Sequence, residues 1–450
     1  MKDFTLAEIA KACNGEYVGD ESLKNTKITS VERDSRQIKD GSLFLAIKGE
    51  HVDGHDFIEK CFAQGAVCAL CEKAPENATK PCIVVPSTLD AVKKIGRAYR
   101  EKFGIPVIGI SGSVGKTSTK EMLYAVLSQK FKTHKTQGNL NNELGVPLTL
   151  LSMPEDTEAA VIEMGISDFG EMTRLSEMVQ PTICVLTIIG ECHLENLGDR
   201  DGVLKAKTEM FRNARENADF ILNGDDDKLS TVKTVKGKKP VFFGLDAKND
   251  FYAKNIKNSG DGKVLATLCF DNNNIDVEIP AIGTYMVTNA LAAAAAGKLL
   301  GLTDEEIANG VASYKTVGSR ANVINTGKIK IIDDCYNANP TSVRASLDTL
   351  SNLDGRKTAI LGDMKELGSE ELKLHFDTGV YAKSKGIGTV ITVGELAKEL
   401  AKGADGKAFD TIEDAKPEIL KTIKSGDVVL VKASHSMQFE NIVEFLKQNF

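Results

Sequence analysis

Several features that would settle a function at once are missing from this 450-residue chain. No apolar run approaches the ~18 residues of a membrane-spanning helix, so no such segment is expected. The first residues, Met-Lys-Asp-Phe-Thr-Leu-Ala-Glu, place Asp3 and Glu8 where a secretion signal needs an apolar core, and a cytoplasmic location is expected. Basic charge is in deficit. Lys and Arg number 56 against 63 Asp and Glu, a formal net charge of −7, which argues against the basic face of a general nucleic-acid binder. A disulfide framework is also missing, because the nine cysteines are odd in number and scattered through apolar stretches from Cys13 to Cys335. Cys68-Ala-Leu-Cys71, with Cys61 and Cys82 nearby, has no second Cys-x-x-Cys, and its residues read as a buried strand, so no zinc site is expected. Internal repeats and low-complexity segments are absent as well.

What is present suits a chain of about three domains. Residues 1–98 mix short strands (27–31, 43–47, 67–70, 82–85) with helices near 6–12 and 56–64. A further helix, 89–103, runs into Gly104-Ile105-Pro106, a break that marks the first boundary. Residues 99–314 alternate strands (107–110, 159–164, 183–188, 220–223) with helices, the pattern of a mostly parallel sheet. Within them, 241–280 reads as a β-rich insertion. It is followed by an alanine-rich helix, 289–300, and by a helix opened with the capping box Thr303-Asp304-Glu305-Glu306. Residues 315–450 restart the alternation with strands at 329–333, 358–361, 389–393 and 428–431, as in a small Rossmann-like domain. The expected class is therefore α/β throughout.

The most informative stretch is Val107 to Thr119, V-I-G-I-S-G-S-V-G-K-T-S-T. An apolar strand leads into a glycine turn, and Lys116-Thr117 opens a helix. Backbone N–H groups of Gly112, Ser113, Val114, Gly115, Lys116 and Thr117, next to Ser118, can converge on a phosphate at the positive end of the helix. Lys116 would reach the outer phosphates and the Thr117 hydroxyl a Mg²⁺ ion. One departure from the usual loop is Ile110, which stands where its first glycine is expected. A nucleoside triphosphate is the expected ligand.

Other residues admit two readings. Glu163 ends an apolar strand and is either a metal ligand or a solvated strand terminus. His193 follows another strand and is either a ligand or one of six ordinary histidines. Lys205 and Lys207 sit on an expected helix, 202–212, and read on composition as a solvated face. Gly138-Asn139-Leu140-Asn141-Asn142-Glu143 holds three amides in four positions, more than turn chemistry needs, which points to a polar ligand. Asp225-Asp226-Asp227 reads as an acidic turn, whereas Asp333-Asp334-Cys335-Tyr336-Asn337 closes an apolar strand with acids and amides.

Together these segments resemble the Mur ligase family from end to end. The resemblance is carried by Asp34-Ser35-Arg36, G-S-L-F-L-A-I-K-G-E-H-V-D-G-H-D-F, S-G-S-V-G-K-T-S, G-N-L-N-N-E-L-G-V-P-L-T-L-L, V-I-E-M-G, H-L-E, K-A-K-T-E-M-F, D-D-C-Y-N-A-N-P and L-G-D-M-K-E-L-G. That family also lacks the first loop glycine, and D-D-x-Y-N-A-N-P with G-N-x-N-N-E marks its dipeptide-adding branch. The resemblance implies a UDP-sugar domain, a central P-loop ATPase domain and a C-terminal Rossmann-like domain closing over the site. It implies an ADP-forming ligase of peptidoglycan precursor synthesis, monomeric, that adds D-alanyl-D-alanine to UDP-N-acetylmuramoyl-tripeptide through an acyl phosphate. Roles follow too: Lys116 on the γ-phosphate, Thr117 and Glu163 on one Mg²⁺, and His193 with a carbamylated Lys207 on a second. Asn289 would lie near adenine, Arg320 on the γ-phosphate and Asp334 at the ribose. Ser35, Arg36, Asn139, Asn141 and Asn142 would face the UDP-muramoyl peptide. The chain departs from the family at Lys432-Ala433-Ser434-His435-Ser436-Met437, where K-G-S-R-S-M is usual, and at V-G-S-R before Arg320. Competing readings are a sister or folylpolyglutamate-type ligase, or a P-loop nucleotide switch.

Overall fold

The computed structural model of the chain describes residues 1–259, 262–271 and 273–450. Three sheets of five or six strands and short crossovers follow from alternating apolar runs and amphipathic helices. In the N-terminal part the strands lie in the order Glu16–Val18, Cys82–Val84, Cys68–Cys71, Ser42–Leu45, Ser30–Glu32, with only the first pair antiparallel. Four of these strands match the expected runs. Glu16–Val18 was not anticipated, being a three-residue edge strand with a largely exposed face.

The central sheet is six-stranded and parallel throughout, in the order Val241–Phe243, Asp219–Asn223, Ile183–Leu186, Val107–Ser111, Ala159–Glu163, Thr133–Lys135. Its inner strands are buried on both faces, which is why they read as unbroken apolar runs. The expected insertion needs correcting at its start. Val241–Phe243 pairs with Asp219–Asn223 as the edge of this main sheet, and the separate antiparallel sheet consists of Tyr252–Asn258, Val264–Phe270 and Asn273–Ile279.

Helix Lys116–Leu127, which follows the phosphate-loop segment, is clamped from behind. The run Ala292–Ala296 of helix Tyr285–Leu299 is wholly buried in the same core, and a Cβ on Gly310 would come within 2.4 Å of Val126 Cα. Small side chains let the three helices approach closely and fix where the loop points.

The first boundary is softer than the glycine-proline break suggests. Helix Thr88–Glu101 belongs to a core that continues from Phe4 through to Val235. Buried Arg100 donates to the Val179 carbonyl at 3.0 Å and to Phe103 at 2.8 Å, tying the N-terminal part to the central sheet.

The C-terminal sheet runs Asn322–Asn325, Lys330–Asp333, Asp427–Lys432, Arg356–Gly362, Thr389–Val393, Lys407–Phe409, with only the first pair antiparallel. The two outer strands were not foreseen, because edge strands bury too little to leave an apolar run. Among the described residues no helix is long and apolar enough to cross a membrane.

Candidate active site

The C-terminal ends of the central strands and the facing edge of the C-terminal domain enclose a cavity of about 390 Å³. This is where parallel sheets place ligands. Its floor is the segment Gly112–Thr117. Gly112 has φ +149°, and a Cβ there would fall 2.0 Å from the Thr187 hydroxyl, so only glycine fits. Thr187 in turn donates to the Val114 carbonyl at 2.6 Å and holds the loop's curvature. Ser113 differs from expectation. Its N–H donates to Ile188 O at 2.8 Å and its hydroxyl lies between Gly190 and Cys192, so neither is aimed at a phosphate. Val114, Gly115, Lys116, Thr117 and Ser118 line the cavity.

Lys116 folds back onto the Gly112 carbonyl at 2.7 Å. Burial holds its amine below the usual lysine range, and the nearby Cys192 and Glu163 oppose that effect. Glu163 is only 1 % exposed. Its carboxylate accepts from the Thr117 hydroxyl at 2.9 and 3.1 Å and from the Asn141 amide at 2.8 Å. The nearest cation, the Lys120 ammonium, is 3.6 Å away and closer to Glu121, at 3.2 Å. A buried carboxylate beside a hydroxyl, with neutral donors around it, is a hard-oxygen site suited to Mg²⁺. Lys120 was not picked out from the sequence. It lies one helical turn beyond Lys116, and only the fold brings it to Glu163.

His193 lines the cavity with φ +52° and opens the short helix Leu194–Leu197. Its Nδ1 lies 2.6 Å from Glu366 Oε2 of the C-terminal domain. Lys207 does not line the cavity. It is buried on helix Arg200–Thr208 rather than on a solvated face, and among the described residues its amine has no hydrogen bond or ion pair. Burial first, and then the charge of Lys116, bring its pKa down to about 8.

The asparagine run divides. Asn141 holds Glu163, Asn142 accepts from the N–H groups of Leu144 and Gly145 at 3.2 and 2.8 Å where helix Gly145–Leu151 starts, and Asn139 is exposed outside the cavity. Asn141 and Asn142 thus bond within the protein while lining the cavity. Ser35 and Arg36 also lie away from the cavity. Arg36 is exposed and grips Asp34 through Nε at 2.9 Å and Nη2 at 2.7 Å, which lowers the Asp34 pKa to about 2.

The roof comes from the C-terminal domain. The Arg320 guanidinium lies 3.6 Å over the ring of Tyr336, and the His435 ring meets Tyr336 edge-on at 5.7 Å. Asp334 accepts from Ala321 N–H at 3.0 Å, the Ser346 hydroxyl at 2.6 Å and the Lys432 ammonium at 2.6 Å. Asn289, at the back, accepts from the Thr119 hydroxyl at 2.9 Å. Asp226 bonds the N–H groups of Ile189, Lys228 and Leu229, so the acidic triplet is a structural turn, as read. All nine cysteines are buried and free, and no group of three or more His, Cys, Asp or Glu is placed to hold a metal among the described residues.

A phosphate-loop segment, a buried carboxylate beside its threonine and an arginine from a third domain lining one cavity are the parts a nucleotide-dependent ligase would use. The comparisons with known proteins agree. Family models described as "Mur ligase family, catalytic domain", "Mur ligase middle domain" and "Mur ligase, glutamate ligase domain" match residues 27–111, 110–297 and 319–435. A protein of Bacillus subtilis named UDP-N-acetylmuramoyl-tripeptide–D-alanyl-D-alanine ligase is 36% identical over 98% of both chains. Its Escherichia coli namesake is 34% identical over 100% of this chain and 99% of its own. Among solved structures, MurF from Acinetobacter baumannii superposes with a TM-score of 0.92 at 32% identity, covering 100% of this chain and 99% of that one. MurF ligase from Thermotoga maritima in complex with ADP gives 0.84 at 30% identity, over 93% and 97%. The chain belongs to the Mur ligase family.

Proposed function

We propose that this protein joins D-alanyl-D-alanine to the free carboxylate of UDP-N-acetylmuramoyl-tripeptide, using ATP and releasing ADP and phosphate, as a step in peptidoglycan precursor synthesis. The observation that carries this reading is the convergence of Lys116, Thr117–Glu163, His193 and Arg320 on one cavity. The names of relatives aligned along nearly the whole chain supply the substrates.

A carboxylate does not react with an amine at neutral pH, because oxide would have to leave. Transfer of the γ-phosphoryl group to the carboxylate makes an acyl phosphate, whose leaving group is phosphate. Lys116 and Arg320 then face the charge that builds up on the transferred group. The amine of D-alanyl-D-alanine attacks the acyl carbon, and collapse of the tetrahedral intermediate expels phosphate. The C-terminal roof excludes water, which would otherwise take the acyl group.

Thr117 and Glu163 would hold one Mg²⁺, and His193 a second with Lys207 as its carbamate. When bound, such ions neutralise phosphate charge. Lys207 suits carbamylation. An amine with a pKa of about 8 is substantially neutral near pH 8, and attack on CO₂ forms the N–C bond and releases one proton. Val114, Gly115 and Ser118 would surround the phosphates, Asn289 would lie near adenine, and Asp334 has room for one ribose hydroxyl. Ser35, Arg36, Asn139, Asn141 and Asn142 would face the UDP-muramoyl peptide, Arg36 while paired with Asp34, and Asn141 and Asn142 from the cavity wall. The reading takes the protein as a monomer acting in the cytoplasm.

Mass-spectrometric product analysis with ATP, Mg²⁺, UDP-muramoyl tripeptide and D-alanyl-D-alanine tests the proposal. Equal amounts of ADP, phosphate and the new pentapeptide are expected. ADP and phosphate without a new amide would overturn it.

A further inference from the structure

We propose that Glu366 is a positioning residue that completes His193 as a metal ligand only when the C-terminal domain is docked. The inference rests on the reading of His193 as a ligand in the proposed function. Two non-glycine residues with left-handed backbone meet across the domain boundary, His193 at φ +52° and Glu366 at φ +65°. Such conformations are strained and persist where the surroundings over-determine them. Here the surroundings are each other, because Nδ1 of His193 lies 2.6 Å from Glu366 Oε2.

The approach is built into both backbones. Gly368, two residues beyond Glu366, has φ +64°, and a Cβ there would lie 3.2 Å from Glu195 Cα, so the two turns are pressed together. The same segment is gripped a second time, two residues before His193. Thr341 of the C-terminal domain donates to Glu191 Oε2 at 2.5 Å, and a Cβ on Gly190 would strike the Thr341 hydroxyl at 2.3 Å. The stretch 190–195 is therefore held from the C-terminal domain at both ends.

The 2.6 Å approach is an ion-pair contact and not a hydrogen bond, since His193 Nδ1 is buried without a hydrogen-bond partner among the described residues. A turn of the ring that let Glu366 take Nδ1–H would offer the Nε2 lone pair in a fixed direction, and a carboxylate is the usual acceptor beside a metal. Among the described residues Glu366 is the acidic group paired with His193, and it belongs to the other domain. Undocking would remove it and leave His193 on a four-residue helix with its ring free to turn. The second metal position would then mature only on closure.

The test uses the full chain with ADP, titrated with Mn²⁺ as the probe and followed by the electron paramagnetic resonance signal of free Mn²⁺. Wild type should show a tighter and a weaker Mn²⁺ class. Glu366→Gln should weaken the weaker class about 10-fold or more and leave the tighter class within about twofold. Glu366→Asp, one methylene shorter, should fall between. The Glu366 side chain is 55% exposed, so neither change threatens the fold. A weaker class unmoved in Glu366→Gln, an equal shift of both classes, or a single class in wild type would overturn the inference. Amide formation by wild type is scored separately. Its absence counts against the proposed function, whereas an active wild type with unshifted Mn²⁺ binding counts against the Glu366 assignment alone.

Discussion

The wall that the central sheet contributes to the cavity is bonded to itself before any ligand arrives, whereas the wall from the C-terminal domain adds to its own hydrogen bonds an arginine held by stacking on Tyr336. On the first, Thr117, Asn141 and Glu163 form a buried network, with Lys116 seated on its own loop. On the second, Arg320 stacks on Tyr336, Asp334 is bonded by Ala321, Ser346 and Lys432, and Thr341 reaches across to Glu191. A pre-bonded wall suits phosphates and metal, where charge must be met at fixed distances. A stacked arginine suits a wall that has to arrive after the substrates and leave with the products.

If this division is right, the largest loss should come from the fixed wall. Lys116→Met should lower kcat about 10³-fold, with the melting temperature little changed, as measured by coupled ADP release and thermal unfolding. Arg320→Lys tests the other wall and should cost about 10²-fold in kcat. A lysine keeps the charge but loses the planar stack on Tyr336 and the forked donors. Near-normal kcat in Arg320→Lys would show that the roof acts by charge alone.

Much of the fixed wall was legible in the sequence, because its signal is local. The strand, glycine turn and Lys116-Thr117 occupy a dozen consecutive residues, and Glu163 ends the neighbouring strand. What was missed is long-range. Lys120 looks like any helix lysine until Glu121 and Glu163 are seen beside it, and Glu366 meets His193 from 173 positions further along the chain. In the asparagine run, Asn141 and Asn142 line the cavity as a ligand-facing pair would, and the same side chains also satisfy a carboxylate and a helix start. An amide's partner is not encoded in its spacing. The same holds for Ser113, whose N–H donates to Ile188 on the adjacent loop.

A third prediction sets function against stability at Lys207. Its amine titrates at about 8 in the fold against 10.5 normally. Between those values the unfolded chain binds the extra proton, so stability contributed at this site rises with pH from about 8 to 10.5. Below pH 8 the full penalty, about 3 kcal/mol, is present. Lys207→Met should therefore raise the melting temperature of the metal-free protein in CO₂-free buffer, most at pH 7 and least near pH 10.5, while abolishing ligation. An equal gain at both pH values would mean that burial does not lower the pKa of the amine.

The smallest effect belongs to the exposed N-terminal pair. Arg36→Ala should change stability by less than about 0.5 kcal/mol and leave ADP binding unchanged, yet raise KM for the UDP-substrate. An unchanged KM would remove Arg36 from the substrate surface.

The two walls have one shared purpose in this account, to hold a phosphoryl group between ATP and a peptide carboxylate. Labelling that carboxylate of the UDP-muramoyl tripeptide with ¹⁸O and running one turnover with D-alanyl-D-alanine measures it directly. Transfer of one ¹⁸O atom into inorganic phosphate for each amide formed is the predicted result; phosphate free of label, with amide still made, would contradict the acyl-phosphate route.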